Sequence, residues 1–352
     1  MQERYTLTHL KNNKWLAYFL AVLLLICAMV IGISIGTVSV PISYICKIIF
    51  REVLHFPLGQ TVDPMYTNIV MNIRLPRVIL AGLIGASLAI AGAAFQGLLR
   101  NPLADPYTLG VSSGASVGAV VTLFFHLSLP GIGLYTLPLL SIVAAFATIF
   151  LVLLFARKID RSMKVETIIL TGIVFSSFLG ALISLMIAMT GDELRQIIGW
   201  LLGSVSMRGW EYIKIMLPFF ILGSLLLLFS ARELNAMSFG EEQAQHLGVD
   251  VQKRKLLVLA SASILTGAAV AISGTIGFVG LVIPHLVRLV WGPDHKHLLP
   301  LSILTGAAFL ILADLVSRTV ISPAELPIGV ITAIVGAPVF AVILIQKRGA
   351  RR

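Results

Sequence analysis

The chain has 352 residues, of which 58% are hydrophobic and only 12% are charged, and its formal net charge is +10. In soluble domains about a quarter of the residues are charged, and these residues cover the surface. This composition therefore excludes an ordinary soluble enzyme. Apolar runs of roughly 20 residues, the length that crosses a hydrocarbon core, recur along the whole sequence. The composition therefore predicts an all-α polytopic membrane protein.

Ten membrane-spanning helices are predicted in chain order. The first follows Arg4, Lys11 and Lys14. It has no small-residue cleavage site before Pro41, so we expect it to be retained rather than removed as a signal peptide. The eighth is short and contains Pro284. The ten spans lie near residues 15–36, 77–98, 107–127, 136–156, 167–189, 210–230, 256–274, 277–291, 299–317 and 327–346.

Lysine and arginine residues orient these spans, because they concentrate in cytoplasmic loops. With the N-terminus inside, 18 of the 26 lysine and arginine residues fall in inner segments and 8 fall in outer segments. This asymmetry predicts that both termini and the loop 232–255 face the cytoplasm. The net charge is thus mainly a topology signal and does not indicate a nucleic-acid partner.

Small residues indicate how the helices pack. In the second span they recur every four positions from Ala81 to Gly97. Such rows let helices approach closely in lipid, so we predict a dense bundle rather than a wide pore. The segment GASLAIAG at 85–92 is echoed by GAAVAISG at 267–274, in a predicted span of opposite direction. This echo is typical of an inverted repeat.

No pattern for catalysis or for metal binding occurs. The chain lacks GxxxxGK[ST] and HExxH. The two GxSxG matches, around Ser112 and Ser116, lie at the start of a lipid span rather than at a strand-to-helix elbow. Cys27 and Cys46 fall inside and outside the first span, so they are not expected to pair. We predict no catalytic residue, no metal site and no cofactor bound by this chain.

Charged residues within the spans are few. Asp314 and Arg318 lie four residues apart at the outer end of the ninth span, where they could pair. An ion-coupled carrier normally needs an ionisable group or a broken helix at mid-membrane, and no carboxylate falls near the middle of a span. We therefore favour energy supplied by a separate subunit. The alternatives are an ion-coupled secondary carrier, an intramembrane enzyme and a non-transporting receptor or scaffold.

Two polar motifs at span ends each admit two interpretations. RLPR at 74–77 is either an interfacial anchor at a helix end or a cationic dock for an acidic soluble partner, because arginine binds carboxylates bidentately. The proline-rich turn at 98–106 is either a rigid connection or a constriction at the inner mouth.

The loop 232–255 is the most informative polar segment of the chain. Gly240 and Gly248 bracket a helix-sized piece in which apolar residues lie among glutamate and glutamine. A short amphipathic helix on the wet face of a membrane protein is well suited to bind a partner. We interpret this loop as the contact site of a separate ATP-hydrolysing subunit.

Five long blocks occur in order between about residue 70 and the C-terminus. They are RLPR at 74–77, RNPLADPYTLGVSSGA at 100–115, LNAMSFGEEQAQHLGVD at 234–250, GTIGFVGLVIPHLVRL at 274–289 and AELPIGVITAIVGAPVF at 324–340. In these blocks the chain resembles the FecCD-type permeases, which are the bacterial cell-membrane subunits of ABC importers for ferric siderophores, haem and vitamin B12.

The resemblance implies a single permease domain over residues 1–352 that pairs with a second copy or a close paralogue. It also implies two partners, a cytoplasmic ATPase dimer that uses the ATP and an extracytoplasmic binding protein. The expected cargo is an iron–siderophore complex, with vitamin B12 or haem as the alternative. Transport is expected to follow alternating access, driven from outside the chain.

Individual residues receive roles from the same resemblance. The helix of the fifth predicted span, near residues 167–189, and the following residues 192–203 are expected to line the pathway. Coupling to the ATPase is implied for Phe239, Gly240, Glu241, Ala244, Leu247 and Gly248. Docking of the binding protein is implied for Arg74, Arg77 and Arg318. Two cytoplasmic gates are implied, one at Asn101 and Leu103 and the other at Val165 and Glu166.

Overall fold

The protein is entirely helical, apart from connecting turns, over the part of the chain that the structure describes. The structure is a computed structural model, and it describes residues 13–36, 38–52, 55 and 63–349. Short 3-10 turns lie at Pro106–Leu109 and Gly133–Tyr135. The α-helices are α1 Lys14–Ser34, α2 Ile42–Glu52, α3 Pro64–Leu98, α4 Val111–Phe124, α5 Thr136–Ile159, α6 Val165–Met189, α7 Leu194–Leu201, α8 Trp210–Phe229, α9 Ala231–Ser238, α10 Glu241–His246, α11 Val251–Ser273, α12 Val279–Trp291, α13 His295–Thr319 and α14 Ile328–Gly349.

The apolar helices occur where spans were predicted. Seven of those described are long and apolar enough to cross a membrane, namely α1, α3, α5, α6, α8, α11 and α13. Three shorter apolar segments are α4, α12 and the Ile328–Val342 part of α14. Each of these ten helices overlaps one of the ten predicted spans, so the all-helical membrane fold is confirmed. The number of complete crossings and the inside orientation of the termini stay predictions.

The second span begins earlier than predicted. We expected a helix start near residue 77 because Pro76 suits a first helical turn. Instead α3 begins at Pro64 and passes through a π-helical turn at Ile69–Arg74. A π-helical turn shifts the backbone hydrogen-bond pattern by one residue. Proline has no backbone N–H group to donate. With this shifted hydrogen-bond pattern before it, the helix continues through Pro76.

The centre of the bundle is made of α3, α11 and α13. In α3, 89% of the apolar window is buried, whereas only 22% of the corresponding window of α6 is buried. Small residues allow this packing, since a β-carbon at Gly85 would clash with the backbone of Gly306 and one at Gly92 would clash with the backbone of Gly280. The predicted dense packing is confirmed. The inverted repeat and the single-domain organisation stay predictions.

Candidate functional site

Two short helices, α9 and α10, form the polar segment between α8 and α11. Leu234 and Met237 of α9 and Ala244 of α10 are buried, so both helices are fixed to the body of the protein. Gly240 and Gly248 flank α10 with φ angles of 126° and 84°, a region of backbone conformation that favours glycine. The short helix predicted between these two glycines is confirmed.

The outer surface of this segment is apolar on either side of α10. Phe239 and Leu247 are 72% and 69% exposed. Exposed large apolar side chains on an otherwise polar segment are typical of a surface that contacts a partner. We call residues 231–248 the coupling segment. That it contacts an ATPase, through the six residues named above, stays a prediction.

An ion pair connects the coupling segment to the long helix that follows it. Glu241 accepts a hydrogen bond from Lys255 Nζ of α11 at 2.6 Å, and the Lys255 side chain is almost fully buried. A second pair joins Arg254 of α11 to Glu233 of α9 at 2.9 Å. A force applied to α9 or α10 would therefore reach α11, one of the central helices, through these two contacts.

The turn after α3 is held by its own hydrogen bonds. Asn101 Oδ1 accepts from the backbone N–H of Leu103 at 2.9 Å, and the backbone N–H of Asn101 donates to the carbonyl of Gln96 at 3.1 Å. Both Asn101 and Leu103 are exposed. We call residues 99–105 the gate loop. The structure is consistent with a rigid connection, and the gate role of Asn101 and Leu103 stays a prediction.

Asp105 ends the gate loop and caps the 3-10 turn that follows. Its Oδ1 accepts a hydrogen bond from the backbone N–H of Tyr107 at 3.0 Å. Loss of hydration raises the pKa of the Asp105 carboxyl, and the hydrogen bond from Tyr107 only partly offsets this rise. Ionised Asp105 is therefore less favourable in the folded protein than in the unfolded chain.

Replacing Asp105 with asparagine is expected to raise the melting temperature at pH 7. Asparagine keeps the oxygen that caps the 3-10 turn and removes the charge. A raised folded-state pKa means that folding stability falls as pH rises above the ordinary value near 3.8. The two proteins should therefore melt alike at a pH below that value and diverge above it. Melting curves of the purified chain in detergent across this range measure the effect. A lower melting temperature of Asp105→Asn at pH 7 would contradict it.

The second pair of gate candidates lies at the start of α6. Val165 is half-buried and Glu166 is exposed. Helix α6 packs directly against the 3-10 turn that follows the gate loop, since a β-carbon at Gly172 would clash with Thr108 and Leu109. The helix that carries the second pair thus contacts the turn that follows the gate loop, and the function of both pairs stays a prediction.

The three arginines proposed as a dock are buried. Arg74, Arg77 and Arg318 are 4%, 8% and 8% exposed. Arg74 donates to main-chain carbonyl groups of Ile33, Ser34 and Val38, the first two at 2.7 and 2.8 Å. Arg318 donates to the carbonyl of Gly32. These guanidinium groups tie α3 and α13 to the end of α1.

Arg77 is the centre of an ion-pair cluster with residues far away in the sequence. It donates to Asp314 at 2.8 and 3.0 Å and to Glu325 at 2.7 and 3.0 Å. The predicted pair between Asp314 and Arg318 is present at 3.7 Å, but Arg77 makes the shorter contacts. The three arginines are therefore buried within the protein in this conformation. Docking of a binding protein stays a prediction.

Interrupted helices meet at a junction that the sequence analysis did not identify. The N–H of Ser204 donates to the carbonyl of Ser273 at 2.7 Å, and the N–H of Ile328 donates to the carbonyl of Gly203 at 2.9 Å. The 13 residues of α12 rise only about 20 Å, which is short of a hydrocarbon core of about 30 Å. The connection between α11 and α12 therefore lies within the bundle rather than at its surface.

Glycine was the available signal for this junction. Gly203 and Gly274 have φ angles of 78° and 73°, and a β-carbon at Gly329 would clash with the carbonyl of Leu202. Glycines that interrupt apolar segments were therefore the sequence sign of helices that end inside the bundle. The expected pathway lining includes residues 192–203, and this segment ends at the junction.

Comparison with known proteins agrees with this architecture. A model of the FecCD transport family matches residues 23–346. The ABC transporter permease protein YvrB of Bacillus subtilis is 60% identical over 352 residues, which are 100% of this chain and 99% of the relative. The cobalamin import system permease protein BtuC of Halobacterium salinarum is 46% identical over 288 residues, which are 82% of this chain and 76% of the relative.

A solved structure shares the fold. It is an inward-facing conformation of an ABC transporter, with a TM-score of 0.81 and 36% sequence identity over 93% of this chain and 98% of that chain. The family model covers most of the sequence, and the relative from Bacillus subtilis matches it from end to end. The chain therefore belongs to the FecCD transport family and is a multi-pass membrane permease.

Proposed function

We propose that this chain is the membrane subunit of an ATP-driven importer, in which a cytoplasmic ATPase dimer switches the permease between outward and inward access. The observation that carries the proposal is the coupling segment. Buried Ala244 and the pair between Glu241 and Lys255 fix it to the body, while Phe239 and Leu247 are exposed for a partner. The sequence has no GxxxxGK[ST] motif, so the energy of ATP would enter through this surface.

We place the transport pathway between two copies of the permease. The middle of one copy is filled by α3, α11 and α13, and Gly85 of α3 lies against the backbone of Gly306 in α13. A wide passage through a single copy would need these helices to separate. A passage between two copies needs only a change in how the copies contact each other.

The cargo that we propose is a metal chelate handed over by an extracytoplasmic binding protein. An iron–siderophore complex is the first candidate, from the resemblance of the five sequence blocks. Cobalamin is the second, and the name of the relative from Halobacterium salinarum, at 46% identity, favours it. Both are bulky chelates.

Reconstitution in proteoliposomes tests this function. The chain is inserted together with its ATPase, the binding protein is added outside, and uptake of labelled ferric siderophore and labelled cobalamin is measured in parallel. We expect uptake to require ATP, the ATPase and the binding protein. An imposed proton or sodium gradient without ATP should give none.

The same experiment separates the alternatives. Uptake by the chain alone under an ion gradient would show an ion-coupled carrier and contradict the proposal. Among the two cargoes, the one that the binding protein retains should also be the one transported, and the unretained chelate serves as the matched control.

A further inference from the structure

A cavity of about 840 Å³ lies between the gate loop and the coupling segment. This volume is in the range of small-molecule sites, roughly 300–1,000 Å³. Its walls include Arg100 and Pro102 of the gate loop, Asn235 and Phe239 of the coupling segment, and Arg288 in the last turn of α12. Of these residues only Phe239 has a part in the function proposed above, as a contact of the ATPase.

Arg288 is the cation of this cavity that lacks a counter-ion. Its Nη1 donates to Gln96 Oε1 at 3.0 Å, and Gln96 is neutral and also bonded to the carbonyl of Leu281. Among the residues that the structure describes, no carboxylate oxygen lies within the 4.0 Å of an ion pair to Arg288. A guanidinium group that is partly removed from water without an anion is costly.

The acidic residue in the cavity wall, Asp294, already accepts hydrogen bonds from other groups of the protein. Asp294 accepts a hydrogen bond from Asn235 Nδ2 at 2.6 Å and another from the backbone N–H of Lys296 at 3.0 Å, where it caps α13. Asn235 in turn accepts from the backbone N–H of His295 at 2.9 Å. This carboxylate is therefore used to hold α13 and the coupling segment together. Among the described residues, neither the half-buried Arg288 nor the exposed Arg100 of the wall forms an ion pair with a carboxylate.

We propose that this cavity binds a phosphate group, carried by a free phosphate compound or by the headgroup of an anionic lipid. Arg100 and Arg288 both line the cavity and would neutralise the negative charge of a phosphate group, whose oxygens arginine binds through two parallel hydrogen bonds. The bound group would touch the gate loop and the coupling segment together. It would thus restrain the movement of one relative to the other and regulate transport.

Two binding measurements on the full-length chain test the site and identify the source of the phosphate. The first is equilibrium binding of radiolabelled inorganic phosphate to the protein in a non-ionic maltoside detergent. The second is native mass spectrometry of the protein from nanodiscs of phosphatidylcholine with or without phosphatidylglycerol. Neither needs transport, so a negative result would leave the proposed function intact.

We expect Arg288→Gln and Arg100→Gln each to weaken binding of the retained probe by about tenfold or more, since each variant removes a charge-assisted hydrogen bond. Arg161→Gln is the matched control, because Arg161 is an exposed arginine on the same predicted side and outside the cavity wall. Arg100 is also exposed, so its variant tests the site even if Arg288→Gln folds poorly.

The outcomes are distinct. Binding of inorganic phosphate that the two cavity variants lose supports a free phosphate ligand. Retention of phosphatidylglycerol alone, lost in the same variants, supports a lipid headgroup. Equal binding by the wild type, the control and both cavity variants would overturn the site. Binding by the isolated chain that disappears in its complex with the ATPase would also overturn it, because an ATPase side chain would then fill the cavity.

Discussion

Replacing Asp314 with alanine is expected to lower the free energy of unfolding by about 3–5 kcal/mol. Asp314 is 1% exposed and accepts hydrogen bonds from Arg77 at 2.8 and 3.0 Å, while Arg318 lies 3.7 Å away. Without this carboxylate, two buried guanidinium groups would share only Glu325 as a counter-ion. Thermal and chemical unfolding of the purified chain in detergent measures the loss.

Two further variants test whether the loss of stability arises because the ion-pair cluster is buried. Glu211→Ala removes an exposed ion pair with Lys214, at 2.7 Å, and should change stability by less than about 1 kcal/mol. The double variant Arg77→Met with Asp314→Leu should recover part of the loss, because Arg77 is then no longer buried without a counter-ion, whereas Arg318 still is. An effect of Asp314→Ala as small as that of Glu211→Ala would show that the cluster is not buried in the folded protein.

The same measurement bears on the docking hypothesis. Charge reversal at an exposed dock would weaken capture of a binding protein without affecting stability. Reversal of Arg77 would place a carboxylate against Asp314 and Glu325, so we expect unfolding before any loss of docking is visible. A test of docking therefore has to change Glu325 together with Arg77. The Glu325 side chain is 36% exposed, and the residue lies in the connection between α13 and α14.

Properties set by nearby residues were predictable from the sequence. Each apolar helix follows from a run of apolar residues, and α10 follows from glycines at both of its ends. Gly85 and Gly92 indicated close packing because their spacing places small residues on one helix face. In all these cases the information lies within about one helix length of the chain.

Properties set by distant residues were not predictable in the same way. Arg77 and Asp314 are 237 positions apart, and nothing in RLPR indicates that its second arginine is buried against a partner on α13. The junction of interrupted helices depends on backbone bonds such as that between Ser204 and Ser273. Backbone groups form such bonds wherever helices end inside a bundle, so side-chain patterns carry little information about them.

Replacing both Phe239 and Leu247 with aspartate is expected to reduce retention of the ATPase by at least about tenfold. The two side chains are 72% and 69% exposed, so their change should leave the fold intact. If they contact the ATPase, each should contribute more than about 1 kcal/mol as a buried interface anchor, and roughly 1.4 kcal/mol is a factor of ten in affinity. Co-purification of the ATPase with affinity-tagged permease measures the effect, together with ATP-driven uptake.

Met207→Asp is the matched control, because Met207 is 96% exposed and lies on the opposite side in the predicted topology. It introduces the same change from an apolar to an acidic side chain and should leave ATPase retention unchanged. Normal retention and uptake by the Phe239 and Leu247 variant would contradict the coupling assignment. Loss of uptake with normal retention would mean that the surface transmits movement without contributing to affinity, and the pair between Glu241 and Lys255 would then be the next contact to break, because it is the ion pair that joins α10 to α11.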